Sequence, residues 1–135
     1  MKLLIDTNVV LDIFLKREPF FPDSYAAMKK ALENNDHCFI SAAAATDIFY
    51  ILQKHLKSAS TAKSKVRDLM CLADFTDVQV QDVTNALESE MEDFEDAVVD
   101  SVAFRIGAEY ILTRNVKDFT LSRCRAITPA EFLKL

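Results

Sequence analysis

One glycine and three prolines stand among 135 residues, too few for a flexible linker, a low-complexity tail or a disordered arm. Cysteine is scarce as well. Cys38, Cys71 and Cys124 are odd in number and widely spaced, which suits reduced core thiols and matches no zinc-ligand pattern. Only His37 and His55 are available to activate a thiol, so a catalytic cysteine is not expected. No apolar run approaches the roughly 20 residues that a membrane-spanning helix needs. The chain opens without a charged segment leading into a longer apolar one, so no secretory signal is read and a cytoplasmic protein is expected. Positive charge is outweighed, with 16 Lys and Arg against 21 Asp and Glu and a formal net charge of −5. Coating nucleic acid through bulk charge is thereby excluded. A local basic patch, or an acidic site offset by a bound cation, stays open.

Apolar residues are what the chain has in quantity: half of it is hydrophobic, with ten Phe. That length and composition suit one domain over 1–135 with a full core. Leu3-Leu4-Ile5 is too short for a helix and breaks into Asp6-Thr7-Asn8, as a strand buried on both faces would. Helices are expected over 9–16, from a cap at Asp23-Ser24, over 42–57, from Thr61, over 82–90 and over 94–106. Further strands are expected at 37–40, 77–81, 110–112 and 126–128. Gly107 falls where a helix end needs a left-handed residue, and Pro129 suits a helix start. Strands alternating with helices across short connections imply βαβ units and a mostly parallel sheet.

Four acids recur where such a sheet has its rim, the side on which ligands gather. Asp6 ends the first strand, Asp47 lies early in the helix after the second, Asp96 opens the long helix before Gly107, and Asp118 follows the 110–112 strand. Each has a bland alternative: helix cap, surface acid, cap again, loop acid. Together they would repel one another and raise each other's pKa unless a cation intervened. Mg²⁺ or Mn²⁺, one ion or two, suits such oxygen ligands and the hydrolysis of phosphate esters. An aspartyl-phosphate enzyme is disfavoured, because Asn8 stands where a second acid is wanted and no lysine is well placed. Asp100 shares a helix face with Asp96 and reads as a solvated acid. Lys54, Lys57, Lys63, Lys65 and Arg67 read as charged surface, and Arg114 and Lys117 as the better candidates for phosphate contact.

Leu4-Ile5-Asp6-Thr7-Asn8, Thr46-Asp47-Ile48, Phe94-Glu95-Asp96-Ala97 and Leu112-Thr113-Arg114-Asn115-Val116-Lys117-Asp118-Phe119 closely resemble, in order and spacing, the PIN domain. The resemblance extends to the closing Ile127-Thr128-Pro129-Ala130-Glu131-Phe132-Leu133. It implies a three-layer α/β/α sandwich with a sheet of four to five strands. It also implies an Mg²⁺- or Mn²⁺-dependent ribonuclease, commonly a VapC-like toxin blocked by an antitoxin. By position Asp6, Asp47 and Asp96 match the family's metal-binding acids, Asp118 a further acid near the site, and Thr113 and Asn115 the polar loop beside it. Many members carry Glu where Asp47 stands, and many toxin-type members an acid where Asn115 stands. RNA is thus the expected substrate. The surface around Phe49 and Tyr50 is a candidate for docking an antitoxin helix or a second copy of the chain. The rival reading is a PIN-like binding module with weak or no catalysis.

Overall fold

The computed structural model describes residues 1–135. Its centre is β1 (Lys2–Ile5), whose Leu3, Leu4 and Ile5 are all buried. Successive side chains of a strand point to opposite faces, so these three supply both faces of a sheet at once. The chain continues through α1 (Thr7–Phe14), α2 (Phe21–Glu33), β2 (His37–Ser41), α3 (Ala44–Leu56), α4 (Ala59–Leu72) and β3 (Asp74–Thr76). It ends through α5 (Val80–Glu88), α6 (Phe94–Ile106), β4 (Tyr110–Leu112), a 3-10 turn (Val116–Phe119), β5 (Ala126–Ile127) and α7 (Pro129–Phe132). All pairings are parallel, in the order β3-β2-β1-β4-β5.

Leu3 and Ile5 pack on one face with Val9 and Val10 of α1, Ala27 and Met28 of α2, Ile48 and Leu52 of α3, Leu69 of α4 and Phe132 of α7. Leu4 and Ile111 pack on the other with Ala86 of α5 and Ala97, Val102 and Ala103 of α6. The sheet is therefore the middle layer of an α/β/α sandwich. Because every strand is parallel, the carboxyl ends of β1, β2 and β4 lie along one edge. Gly107 ends α6 at φ 72°, and the side chain of Thr128 caps α7 ahead of Pro129.

Several expectations are corrected. Residues 77–81 alternate as a strand would, yet the Asp82 carboxylate accepts the Gln79 N–H at 2.9 Å and starts α5 there. The edge strand lies earlier, at Asp74–Thr76. Asp23 does not cap α2; Pro22 sits at its start and Asp23 in its first turn. Ser58 accepts the Thr61 N–H, so α4 begins before Thr61. Cys38 and Cys124 are buried thiols, whereas Cys71 is exposed.

Asp100 is no solvated acid. It is buried, and its two oxygens accept the backbone N–H groups of Cys124 at 2.8 Å and Arg123 at 3.0 Å. Asp100→Ala would strand these donors, so we expect a loss of about 2–3 kcal/mol in unfolding free energy, read from the urea midpoint. Divalent-ion binding should be unchanged.

Candidate functional site

The first carboxylate of the rim is placed by the sheet itself. The Asp6 N–H donates to the Leu112 carbonyl at 3.0 Å, extending the β1–β4 ladder by one residue before α1 begins. Asp6 is thus the N-cap of α1, its Oδ1 accepting the Thr7 N–H at 2.8 Å. The cap uses only part of the carboxylate. Oδ2 accepts the Thr113 hydroxyl at 2.8 Å and the Asn8 side-chain amide at 3.0 Å. A carboxylate offers about four lone-pair positions, so three bonds fix Asp6 in place and leave one direction open.

Thr113 is fully buried. Besides donating to Asp6, its hydroxyl oxygen accepts the Asn115 N–H at 3.1 Å. Asn8 also accepts the Arg114 N–H at 3.2 Å. The loop after β4 is therefore laced to the start of α1. Asn8, for which the sequence motif alone predicts no role, is a central member of this network. Its amide group is the chemical signal, since it can donate and accept at once.

Asp96 stands in the first turn of α6, but it is not the cap. That role falls to Asp93, which accepts the Asp96 N–H at 2.9 Å. Burial pushes the Asp96 carboxyl from its ordinary 3.8 to about 7, and the charges of Asp93, Asp6, Asp118 and Glu95 push in the same direction. Asp6 is raised mainly by burial, against the lowering effect of its three hydrogen bonds and of Arg114. Glu95 is raised by burial, then by Asp47, Asp93 and Asp6. Asp6 and Asp118 thus lie near enough to act on Asp96, and Asp47 and Asp6 near enough to act on Glu95. The same shifts add Asp93 and Glu95, which sequence reasoning passed over because adjacent acids at a helix start read as dipole complements.

Beside these acids runs an open groove of about 590 Å³ whose lining includes Glu90, Glu92, Asp93, Asp96, Lys117 and Asp118. Lys117 is the only cation lining it. Arg114 faces elsewhere: its Nε lies 2.7 Å from Asp12 Oδ2 and its guanidinium stacks on the Phe20 ring at 3.9 Å. Asn115 is exposed and follows Thr113 on the rim. Tyr50 is exposed and Phe49 half-buried. Lys54, Lys57, Lys63 and Arg67 are exposed.

The donor set is all oxygen and carries excess negative charge, which is the chemistry of a hard divalent cation. The fit lies in that charge. No three His, Cys, Asp or Glu side chains converge closely enough to enclose an ion. With Asp96 raised, protonation favours the ion-free chain, so its contribution is present in full below about pH 4 and is lost as pH rises through about 7. We therefore expect the thermal midpoint of the ion-free chain to fall across that window. The rise on adding Mn²⁺ should be larger at pH 8 than at pH 5.5, and Asp96→Asn should flatten both, as read by differential scanning fluorimetry.

A family model described as PIN domain matches residues 2–117. Ribonuclease VapC1 of Aquifex aeolicus (strain VF5) is 27% identical over 134 residues, which cover 97% of this chain and 92% of that protein. Among solved structures, VapBC2 from Rickettsia felis bound to a promoter DNA fragment aligns with a TM-score of 0.76 at 18% identity, covering 95% of this chain and 98% of that one. VapC20 of Mycobacterium tuberculosis, a sarcin-ricin-loop-cleaving toxin, aligns at 0.66 and 15% identity, covering 91% and 98%. At these identities the structural matches speak for the fold.

Proposed function

From a chain that belongs to the PIN-domain family, we propose a divalent-metal-dependent ribonuclease, the toxin of a toxin–antitoxin pair, acting in the cytoplasm as one domain. The observation that carries this reading is the acid-lined groove at Asp93, Asp96 and Asp118, together with the strand-end carboxylate of Asp6, which three hydrogen bonds hold with one lone-pair direction open. Burial first, and neighbouring acids after it, raise the Asp96 and Glu95 carboxyls, a combination that a bound cation would relieve. The relative named as a ribonuclease and the neighbours that are toxin–antitoxin complexes support RNA as substrate and a small antitoxin as partner. A homodimer is also compatible with the exposed Tyr50 surface.

Asp6 and Asp96 would hold the ion directly, Asp47 directly or through water, and Asp118 would act from behind these ligands or at a second ion. A bound Mg²⁺ or Mn²⁺ would lower the pKa of water and polarise a phosphoryl oxygen. The chain's own residues supply placement. Thr113 and Asn8 keep Asp6 from turning, because each holds Oδ2 from a different element. Asn115, adjoining Thr113, would orient water or phosphate through its amide. Lys117 is placed to meet a backbone phosphate entering the groove, where it offsets lining acids that would otherwise repel RNA.

A PIN-like binding module without catalysis is the second reading, and the openness of the acid arrangement favours it. The two part on a simple experiment. Asp6→Asn or Asp96→Asn should reduce Mn²⁺-dependent cleavage of an RNA pool by at least about 100-fold, while at pH 8 neither lowers the thermal midpoint of the ion-free protein and Asp96→Asn raises it. Loss of about 2 kcal/mol or more of stability from both changes would return these acids to capping and structural roles. Wild-type protein that binds RNA or a partner without cutting would support the module.

A further inference from the structure

The buried Asp12 belongs to neither the cap nor the acid cluster. It lies on α1 one turn beyond Asn8, so the two side chains share a helix face. Asp12 is fully buried. Its Oδ2 meets Arg114 Nε at 2.7 Å and the Ser24 hydroxyl at 3.4 Å, while its Oδ1 has no partner. The contact with Arg114 is an ion contact rather than an aligned hydrogen bond, since Nε also lacks a hydrogen-bond acceptor. A carboxylate this deeply buried is costly unless its charge is matched, and Arg114 is the group that matches it.

Arg114 is held twice by the same helix. Its backbone N–H donates to Asn8 Oδ1 at 3.2 Å, and its guanidinium reaches Asp12 one turn along while lying flat on Phe20 at 3.9 Å. The residues on either side of it are Thr113, which donates to Asp6, and Asn115, which donates its N–H to Thr113. Sliding or lifting of Arg114 would therefore release the oxygen of Asn8, whose amide nitrogen holds Asp6 Oδ2.

We propose that Asp12 is a positioning residue for the carboxylate site: through Arg114 it sets where the loop 113–115 lies against α1, and so how Asp6 is presented. This rests on the reading of Asp6 as a metal-holding acid. It gives Arg114 a loop-fixing role in place of the phosphate contact expected from sequence. The competing account makes Asp12 a plain structural pin joining α1, α2 and the loop, with no bearing on Asp6.

The test compares Asp12→Asn, Arg114→Gln and the double variant with the wild-type chain by amide hydrogen exchange and by Mn²⁺ titration followed through thermal midpoint. Both single variants should speed exchange at the Arg114 and Asn115 amides about tenfold or more while leaving the β1 and β4 amides unchanged. Both should raise the Mn²⁺ midpoint concentration several-fold, and the double variant should be no worse than either single. Where cleavage is measured, kcat should fall with KM unchanged. Uniform acceleration of all amides, or unaltered exchange at Arg114 and Asn115, would overturn the proposal. So would an intact Mn²⁺ response in both variants, or a rise in KM confined to Arg114→Gln. Absence of any Mn²⁺ response in the wild-type chain would sink the metal-site reading instead, while the exchange data would still decide whether Asp12 fixes the loop.

Discussion

Everything at the rim depends on β1 being hydrogen-bonded on both sides and apolar on both faces. Lys2, Leu3 and Leu4 pair with β2, and Leu3, Leu4 and Ile5 with β4. The strand has no freedom to shift register, because a one-residue slip would exchange the faces that Leu3, Leu4 and Ile5 occupy. Its first polar residue is consequently delivered to a fixed height. Asp6 extends the β4 ladder with its own N–H and opens α1 with its side chain. A strand paired on both sides thus ends in a carboxylate held by three hydrogen bonds.

The surrounding acids are held less tightly. Asp96 and Glu95 ride on the first turn of α6, whose start is set by Asp93, and Asp47 rides on the first turn of α3. Helix N-termini ease the crowding of negative charge there, but their benefit is confined to the first turn and screened by salt. It does not cancel the repulsion, as the raised Asp96 and Glu95 carboxyls report. The buried acids outside this neighbourhood behave differently. Asp82 is held below its ordinary range, the bonds from Arg105, the Gln79 amide and Ser101 outweighing its desolvation. Asp100 spends both oxygens on backbone amides. A buried acid with matched donors serves the fold; acids facing one another are the ones available to a ligand.

Much of this was legible in the sequence wherever a single physical preference acted alone. The apolar run of β1, the left-handed demand met by Gly107 and the Pro129 start of α7 are local, and each stands where sequence placed it. Residues 77–81 misled because alternation describes a strand only if neighbouring backbone pairs with it. Here the Asp82 side chain claims the Gln79 amide and turns the segment into a helix. Asp100 misled because its sharing a helix face with Asp96 says nothing about the loop at 123–124 that folds over it. Arg114 lies 102 positions from Asp12, and no pattern along the chain announces that a buried helix acid will take up its guanidinium. The acids of the rim are readable from sequence as a candidate set, because strand ends of a parallel sheet share one edge. Glu95 and Asp93 were not singled out, since acidic residues at a helix start have an ordinary electrostatic reason to be there.

The unequal constraint on these acids bears on what the rim can bind. A small hard cation gives up its water reluctantly and is commonly held by one or two carboxylates, the remaining positions staying hydrated or going to phosphate oxygens. Such an ion does not need a closed cage, and carboxylates drawn close enough to form one would repel strongly in its absence. One acid fixed by three hydrogen bonds, with Asp96 and Asp118 lining an open groove, would meet the requirement at a smaller electrostatic cost to the folded chain. On that account a bound ion would contribute most beside the raised Asp96, where the protein's own donors contribute least. The Thr113–Asn8–Arg114 lacing then matters for a physical reason, because it sets the one coordinate that the remaining acids must adjust to.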